Sequence, residues 1–570
     1  MNTPWLAHYD QGVPRSIGAY PDQTLADLIA LYARTTPNAT ALAFKGRRLS
    51  WLDLERDASA LASGLARIGI AAGDRVALIL PNCPQFVICT VALWKLGAAI
   101  HPLNPIYTER ETEECLREIE PRTVIALTPF YRTIKQCQAR TSVKRVVATS
   151  IKEYLPPLLR TLFTVLKEKK DGHRIEIGTG DLWLRDVLRS GKDAPVRVSA
   201  AKPKDAAAIL MSGGTTGTPK GVMVNHRGLI MCGKQIDAWL HEPLAADSAS
   251  ILLPLPLFHI YGLGTMSACI VAALPLILIP NPRDIADLLA TIRRERPSLM
   301  CGVPTLFTAI LGHPDVAAGN ADFSSIKACF SGAAPLMAET KKRFETITGA
   351  RIVEGYSLTE AVMACCANPF RGRNKIGSVG MPFPDVSVRI VDAEHGMRLL
   401  PAGETGEIVL SAPQLMQGYW ENPEETARAL RVMADGSTGL FTGDLGYLDE
   451  DGYLFIVDRK KDLIKTSGLQ VWPREVEEVL AEHPAVAEVG VAGLPDERKG
   501  EIVAAWVVPR AGMPVTVDDL RNFCRQKLAP FKIPARIEFR KDLPKTLVGK
   551  VLRRALVAEM VNDSRAAAVP

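Results

Sequence analysis

At 570 residues the chain exceeds the roughly 250–300 residues over which a single hydrophobic core keeps growing, so two or three domains are expected. Its 47% hydrophobic and 23% charged residues exclude a disordered or fibrous protein. A net charge of +6 is too weak to point to nucleic acid; from Arg459 onward there are 20 Lys and Arg against 15 Asp and Glu, a mild excess that suits a phosphorylated ligand and an ordinary solvated surface alike.

The opening residues, MNTPWLAHYDQGVPRS, lack the basic start and apolar run of a secretory signal. Residues 24–70 read as helices around a short strand, ALAFKGRRLSW. The apolar runs VALILP (76–81), AAIHPLNP (98–105), TVIAL (123–127) and RVVAT (145–149) read as buried strands, with a helical stretch reaching Leu96 between the first two. Strands alternating with helices predict an α/β fold with a mainly parallel, doubly wound sheet. Residues 155–170, LPPLLRTLFTVLKEKK, set Leu155, Leu158, Leu159, Leu162, Phe163 and Leu166 at helical spacing, with Arg160, Lys167, Lys169 and Lys170 nearby. Such a helix either lies in a bilayer interface or packs on the N-terminal domain with its lysines solvated; Pro156 and Pro157 mark its start and do not discriminate.

Ser248 to Pro282 contains no Asp, Glu, Lys or Arg and is long enough for a membrane span. Pro254, Pro256, Gly262, Gly264 and Pro275 interrupt it, and His259 sits inside it, so buried strands and a core helix are predicted instead. After about Asn374, VSVRIVD (386–392) and GEIVLS (406–411) crowd together as a small β-rich subdomain. DEDGYLFIVDRKKD (449–462) reads as turn-rich, its charged DRKKD as a hinge. A compact α/β unit follows, with helices at 473–483 and 516–528 and strands at 486–492 and 502–508. The expected division is an N-terminal domain at 1–458, a mobile C-terminal domain at 459–557 and a frayed tail at 558–570. Eleven cysteines, an odd number with no C-x-x-C pair, predict reduced thiols and a cytoplasmic protein.

The densest chemical signal is LMSGGTTGTPKGVMVNH (210–226), which follows an apolar strand. Its glycines let backbone N–H groups approach phosphate oxygens, its hydroxyls (Ser212, Thr215, Thr216, Thr218) add donors, and Lys220 adds charge. The nucleotide-triphosphatase loop requires Gly-Lys-Ser/Thr, whereas here Pro219 precedes Lys220 and Gly221 follows it, so a kinase or GTPase is excluded.

This segment resembles the signature loop of the adenylate-forming superfamily of acyl-CoA synthetases, firefly luciferase and peptide-synthetase adenylation domains. Gly213, where serine is common, is most like the bacterial long-chain fatty acid–CoA ligases. The resemblance runs from WLAHYDQGVP to GKVLRR and includes PLPLFHIYGL (254–263), FSGAAPL (330–336), EGYSLTEA (354–361), LFTGDLGYLDEDGYLFIVDRKKDLIKTSG (440–468) and PKTLVGKVLRR (544–554). It implies a large N-terminal domain of mixed and parallel sheets with a β-rich subdomain, and a small mobile C-terminal domain. It also implies an ATP- and Mg²⁺-dependent ligase that makes an acyl-adenylate and passes the acyl group of a medium- or long-chain fatty acid to CoA. Such a reaction needs no nucleophilic side chain, because the acid is itself the nucleophile; positioning and electrostatics remain.

By the same resemblance, Ser212, Gly213, Gly214, Thr215, Thr216, Gly217 and Lys220 cradle phosphates. Thr359 donates to the α-phosphate and Glu360 holds Mg²⁺. Gly332, Ala333, Ala334, Glu354, Gly355 and Tyr356 surround adenine. Asp444 and Arg459 serve the ribose, and Lys550 reaches the α-phosphate. Phe258, His259 and Tyr261 form a gate to the acyl tunnel, Lys461 is the pivot, and Lys465 and Gly468 act in the CoA half-reaction. Partners are then small molecules rather than nucleic acid; a homodimer and peripheral contact with the inner face of the membrane are compatible. Alternatives are an aromatic or dicarboxylic acid–CoA ligase, an acyl-AMP ligase without CoA, and a non-catalytic acyl- or nucleotide-binding relative, the last opposed by intact Lys220, Glu360 and Lys550.

Overall fold

Several helices begin where a hydroxyl residue stands three positions ahead of an acid. Thr24 with Asp27, Ser50 with Asp53, Thr108 with Glu111 and Thr516 with Asp519 form reciprocal capping boxes, each satisfying two backbone donors that the first turn leaves open. The structure is a computed structural model and describes residues 3–566, apart from 194–200, 213–219, 241–248, 394–395, 461, 468, 497 and 547–549.

The expected parallel sheet is two sheets. In one, six parallel strands run in the order Arg351–Tyr356, Ala328–Ser331, Leu299–Gly302, Ile251–Leu253, Leu276–Leu278 and Thr40–Phe44, with antiparallel strands on both flanks. In the other, Ala99–Pro102, Arg75–Ile79, Thr123–Leu127 and Arg145–Thr149 run parallel, and the hairpin Ala206–Ser212/Lys220–Asn225 closes one side. The short strand read near residue 44 is a hairpin, Thr40–Phe44 with Arg47–Ser50, turned through left-handed Lys45 and Gly46.

One continuous apolar core joins the two sheets. Its helices Pro84–Leu96 and Ile260–Val271 are buried on nearly every side, which explains their lack of a polar face. The charge-free stretch from Ser248 thus becomes two core strands and a core helix, and among the described residues no helix is long and apolar enough to cross a membrane. The helices Trp51–Arg67 and Leu184–Asp193 touch through glycine: a Cβ on Gly191 would stand 1.8 Å from the Ala60 carbonyl oxygen, and one on Gly64 2.0 Å from that of Val187. Gly191→Ala is therefore expected to destabilise the N-terminal domain by about 1–3 kcal/mol, read as a lower unfolding midpoint.

The β-rich subdomain is antiparallel, built from Ser387–Val391, Gly406–Ser411, Thr438–Leu448 and Leu430–Val432. Its fifth strand, Leu454–Arg459, corrects the turn-rich reading of 449–462. Residues 449–453 turn, with Asp449 accepting from Asp451 N and Tyr453 N and Gly452 at φ 82°, after which LFIVDR pairs with Thr438–Leu448 and Asp462 N closes a further turn on the Arg459 carbonyl. Beyond it, five strands carry two small cores of their own, one around Val476, Leu480, Val507 and Leu520, the other around Trp506, Leu543, Leu556 and Met560. The last helix spans Arg553–Ala566, so the stretch expected to fray from 558 is helical through 566, because Met560, one turn after Leu556, is buried with it.

All eleven cysteines are unpaired and buried, and burial raises every one of their thiol pKa values. In contrast, the helix Pro157–Leu166 buries none of its residues.

Candidate active site

The hairpin that carries the phosphate motif is paired up to Ser212 and Lys220, which face each other in register, with the Ser212 hydroxyl donating to the Lys220 carbonyl at 3.3 Å. Gly213, Gly214, Thr215, Thr216 and Gly217, at the tip between them, lie outside the described residues. Gly221 is needed for space: a Cβ there would stand 2.7 Å from Ile119 Cδ1 and 2.9 Å from Ile209 Cγ2. The Lys220 ammonium pairs with Glu425 and lies 5.3 Å from the centre of the Tyr419 ring. Lys220 in turn holds the Glu425 carboxyl below its usual range. The Tyr419 hydroxyl donates to Glu360 Oε1 at 3.0 Å. Tyr419 and Glu425 therefore tie Lys220 to Glu360, a link that the motif reading missed although GYWENPEET (418–426) is conspicuous for its aromatic and acidic residues.

Thr359 and Glu360 sit on a tight turn at the end of the strand Arg351–Tyr356, both half-buried. The turn continues through two left-handed residues without glycine, Val362 at φ 51° and Met363 at φ 77°, a conformation costing roughly 1–3 kcal/mol per residue unless the surroundings enforce it. Packing enforces it here: Gly264 leaves room for Met363, whose sulfur stands 2.2 Å from where a Cβ would be. Among the described residues no group of three or more His, Cys, Asp or Glu is placed to hold a metal alone.

Asp444 is the centre of a second cluster. It lies opposite Arg459 across two antiparallel strands; its Oδ1 is 2.9 Å from Arg459 Nε, and its Oδ2 accepts the Tyr356 hydroxyl at 2.6 Å. Burial, then Asp444, keeps the Tyr356 phenol well above its usual range, so it remains a donor. Gly332, Ala333 and Ala334 form a loop beside Tyr356, with Ala333 left-handed at φ 67°. Glu354 lies beneath that loop, where its carboxylate accepts from Leu336 N at 3.2 Å; burial raises its pKa. In this arrangement Glu354 braces the chain just past that loop through Leu336 N.

Gly332, Gly355 and Tyr356 also line an apolar cavity that runs inward past Thr265, Met363 and Phe383 to Ile236 and Leu240. Among its described lining residues there is no charged side chain. Of the three residues expected to form a gate, Tyr261 lines it; Phe258 and His259 do not. His259 instead caps the core helix, its Nδ1 accepting from Tyr261 N at 3.2 Å, and burial holds its pKa down to about 4, so it is neutral. Asn82 fixes the segment before Phe258, accepting from Leu257 N at 2.8 Å and donating to the carbonyls of Leu253 and Leu255. This brace was not visible in the motifs.

The C-terminal domain brings Lys550 to the same cleft. Its side chain is open to solvent, but the protein around its end and the Arg459 charge hold its pKa down to about 8, against the pull of Asp444. The Lys550 backbone is fixed by exchange with Thr546 at 2.8 and 3.1 Å. Asp458 ties the two domains: it accepts from Arg474 N at 2.9 Å and Arg553 Nη1 at 3.2 Å, while Arg553 also reaches Glu477 and Asp462. Lys465 lies exposed on a hairpin, its N–H donated to Glu501, and joins none of these contacts. Lys461 and Gly468 lie outside the described residues.

Comparison with known proteins adds a family and relatives of full length. The AMP-binding enzyme family model matches residues 30–420, and the AMP-binding enzyme C-terminal domain matches 475–550. The chain is 39% identical over 562 residues to a long-chain-fatty-acid–CoA ligase of Bacillus subtilis, covering 98% of both chains. It is 34% identical over 566 residues to the enzyme of that name in Salmonella typhimurium, again over 98% of each. The ATP-bound crystal structure of MatB from Rhodopseudomonas palustris superposes with a TM-score of 0.78 at 29% identity, over 94% of this chain and 99% of that one.

Proposed function

The chain belongs to the AMP-binding enzyme family, and on that premise we propose that it is an AMP-forming fatty acid–CoA ligase with its chemistry in the cleft between Lys220, Asp444 and Lys550. One observation carries the substrate class. Tyr356 gives its hydroxyl to the buried carboxylate Asp444 and its ring to an uncharged cavity, so a nucleotide site and an apolar site share a wall. A dicarboxylic acid would leave its second carboxylate unpaired among apolar groups, at a cost no described residue offsets.

In the first half-reaction a carboxylate oxygen of the fatty acid attacks the α-phosphorus of ATP. The bond to the β-phosphate oxygen breaks, giving acyl-adenylate and pyrophosphate. Lys220 exchanges Glu425 for phosphate oxygens, Thr359 donates to the α-phosphate, and Lys550 answers the charge there. Asp444 accepts from the ribose hydroxyls, with Arg459 steadying it. Ser212 and residues 213–217 hold the phosphates, and Gly332 to Ala334 with Gly355 flank adenine. A Mg²⁺ ion suits Glu360: one oxygen already accepts from Tyr419, and among the described residues nothing donates to the other. When bound, such an ion would neutralise phosphate charge.

In the second half-reaction the CoA sulfur attacks the acyl carbon and AMP leaves. The C-terminal domain, taken as 459–557, first turns about Lys461, which removes Lys550 and brings in Lys465 and Gly468. Eleven buried thiols without a disulfide support a cytoplasmic location.

A pyrophosphate-release assay over saturated acids of increasing length tests this, with long-chain acids expected to turn over fastest and turnover to require CoA. Faster release with aromatic acids would overturn the substrate class. The pH profile tests Lys550. Its pKa near 8 means that kcat/KM for ATP falls as pH rises through about 8, since the amine loses the charge that the phosphate needs. In Lys550→Arg that descending limb is expected to vanish, because guanidinium stays charged. An unchanged limb would assign it to another group.

A further inference from the structure

The helix Pro157–Leu166 is the feature of the surface least suited to water. Leu158, Val165 and Leu166 are 72%, 77% and 65% exposed, and Leu159 and Leu162 are also open. Leu158, Leu162, Val165 and Leu166 fall at intervals of four, three and one, a single stripe along the helix. The rest of the segment is built firmly. Phe163 turns inward, its ring edge-on to His173 at 5.0 Å, and Lys152 holds Glu168 at 2.5 Å. The exposed stripe is therefore the face of an anchored element, and a contiguous apolar patch of this kind marks a contact surface.

Its surroundings say what it contacts. Arg160, Lys167, Lys169, Lys170 and Arg174 are exposed around it; the nearby acids are half-buried Glu153, which faces Arg160, Glu168, already answered by Lys152, and Asp171 and Glu176. At ten residues the helix is about 15 Å long, too short to cross a bilayer and sufficient to lie in its interface. We propose that Pro157–Leu166 docks the enzyme on an anionic lipid surface, with its leucines in the acyl boundary and its cations among the headgroups. Apolar burial and electrostatic attraction act together in such binding. This stands apart from the ligase assignment, because vesicle binding is read without turnover.

Sedimentation of the full chain with phosphatidylglycerol vesicles and with phosphatidylcholine vesicles is the test. Retention is expected with the anionic lipid and not with the neutral one, and to weaken as salt is added. Leu158→Gln, Leu162→Gln and Val165→Gln together are expected to lower partitioning at least about tenfold. Lys167→Gln, Lys169→Gln and Lys170→Gln together are expected to lower it about a hundredfold at low salt. Both variants keep pyrophosphate release from a short soluble acid. Because the native cysteines are all buried, Val165→Cys accepts an environment-sensitive dye selectively, and its emission is expected to shift to the blue on adding anionic vesicles. Equal retention on both lipids, undiminished binding by the glutamine variant, or an unshifted dye overturns the proposal. So does loss of folding or activity, which makes the stripe a packing surface. A change of the glutamine variant from dimer to monomer with vesicle binding intact overturns it too and assigns the stripe to a second copy of the chain.

Discussion

Lys550→Ala is expected to slow acyl-adenylate formation by about 10²–10³-fold, the usual cost of removing one preorganised donor from a developing charge. Thioester formation from supplied acyl-adenylate is expected to survive. The asymmetry follows from where the lysine sits. It is carried by the C-terminal domain with its backbone N–H donated to Thr546, and in this arrangement, where Asp458 and Arg553 join the domains, it lies by Asp444 and Arg459. If CoA attacks after that domain turns, Lys550 is absent from the second step and its loss costs nothing there. Separate measurement of pyrophosphate release and of thioester formed from synthetic acyl-adenylate decides the matter. Equal loss in both half-reactions would count against alternation.

Asp444→Asn is expected to raise KM for ATP by about 10–100-fold, since a hydrogen bond to a charged acceptor contributes roughly 1.5–3 kcal/mol. The same change leaves Arg459 without its buried partner, so the protein itself is destabilised. A stability effect alone does not discriminate among nucleotides, and that separates the two consequences. The wild type is expected to prefer ATP over its 2′,3′-dideoxy analogue, and Asp444→Asn to lose most of that preference. A preference retained in full would place the ribose elsewhere.

Local rules carried much of the fold. Apolar runs located the parallel strands around 76–81, 98–105, 123–127 and 145–149, and the breakers in 248–282 correctly turned a charge-free stretch into core. The misreadings share one cause, long-range pairing. LFIVDR looks like part of a turn until Thr438–Leu448 lies beside it. The tail looks frayed until Leu556 and Met560 meet Trp506 across the C-terminal sheet. At the site, motifs named Lys220, Glu360, Asp444 and Lys550 because each sits in a recognisable local pattern. Glu425 and Tyr419 escaped, being 205 and 59 residues from the groups they hold. Asn82 escaped likewise, since its partners at 253–257 are supplied by the other sheet.

The burial of every cysteine bears on chemical self-defence. An enzyme of this class makes two acyl donors, a mixed anhydride and a thioester, and sulfur attacks both as thiolate. Its own thiols are packed in the core and kept protonated, including Cys301 and Cys366 in the wall of the apolar cavity, where burial pushes Cys301 up to about 12. Ionisation is thereby withheld from the sulfurs in the cavity wall, and CoA is left as the competent acceptor. The fold thus protects the enzyme from acylating itself by withholding ionisation from its own thiols.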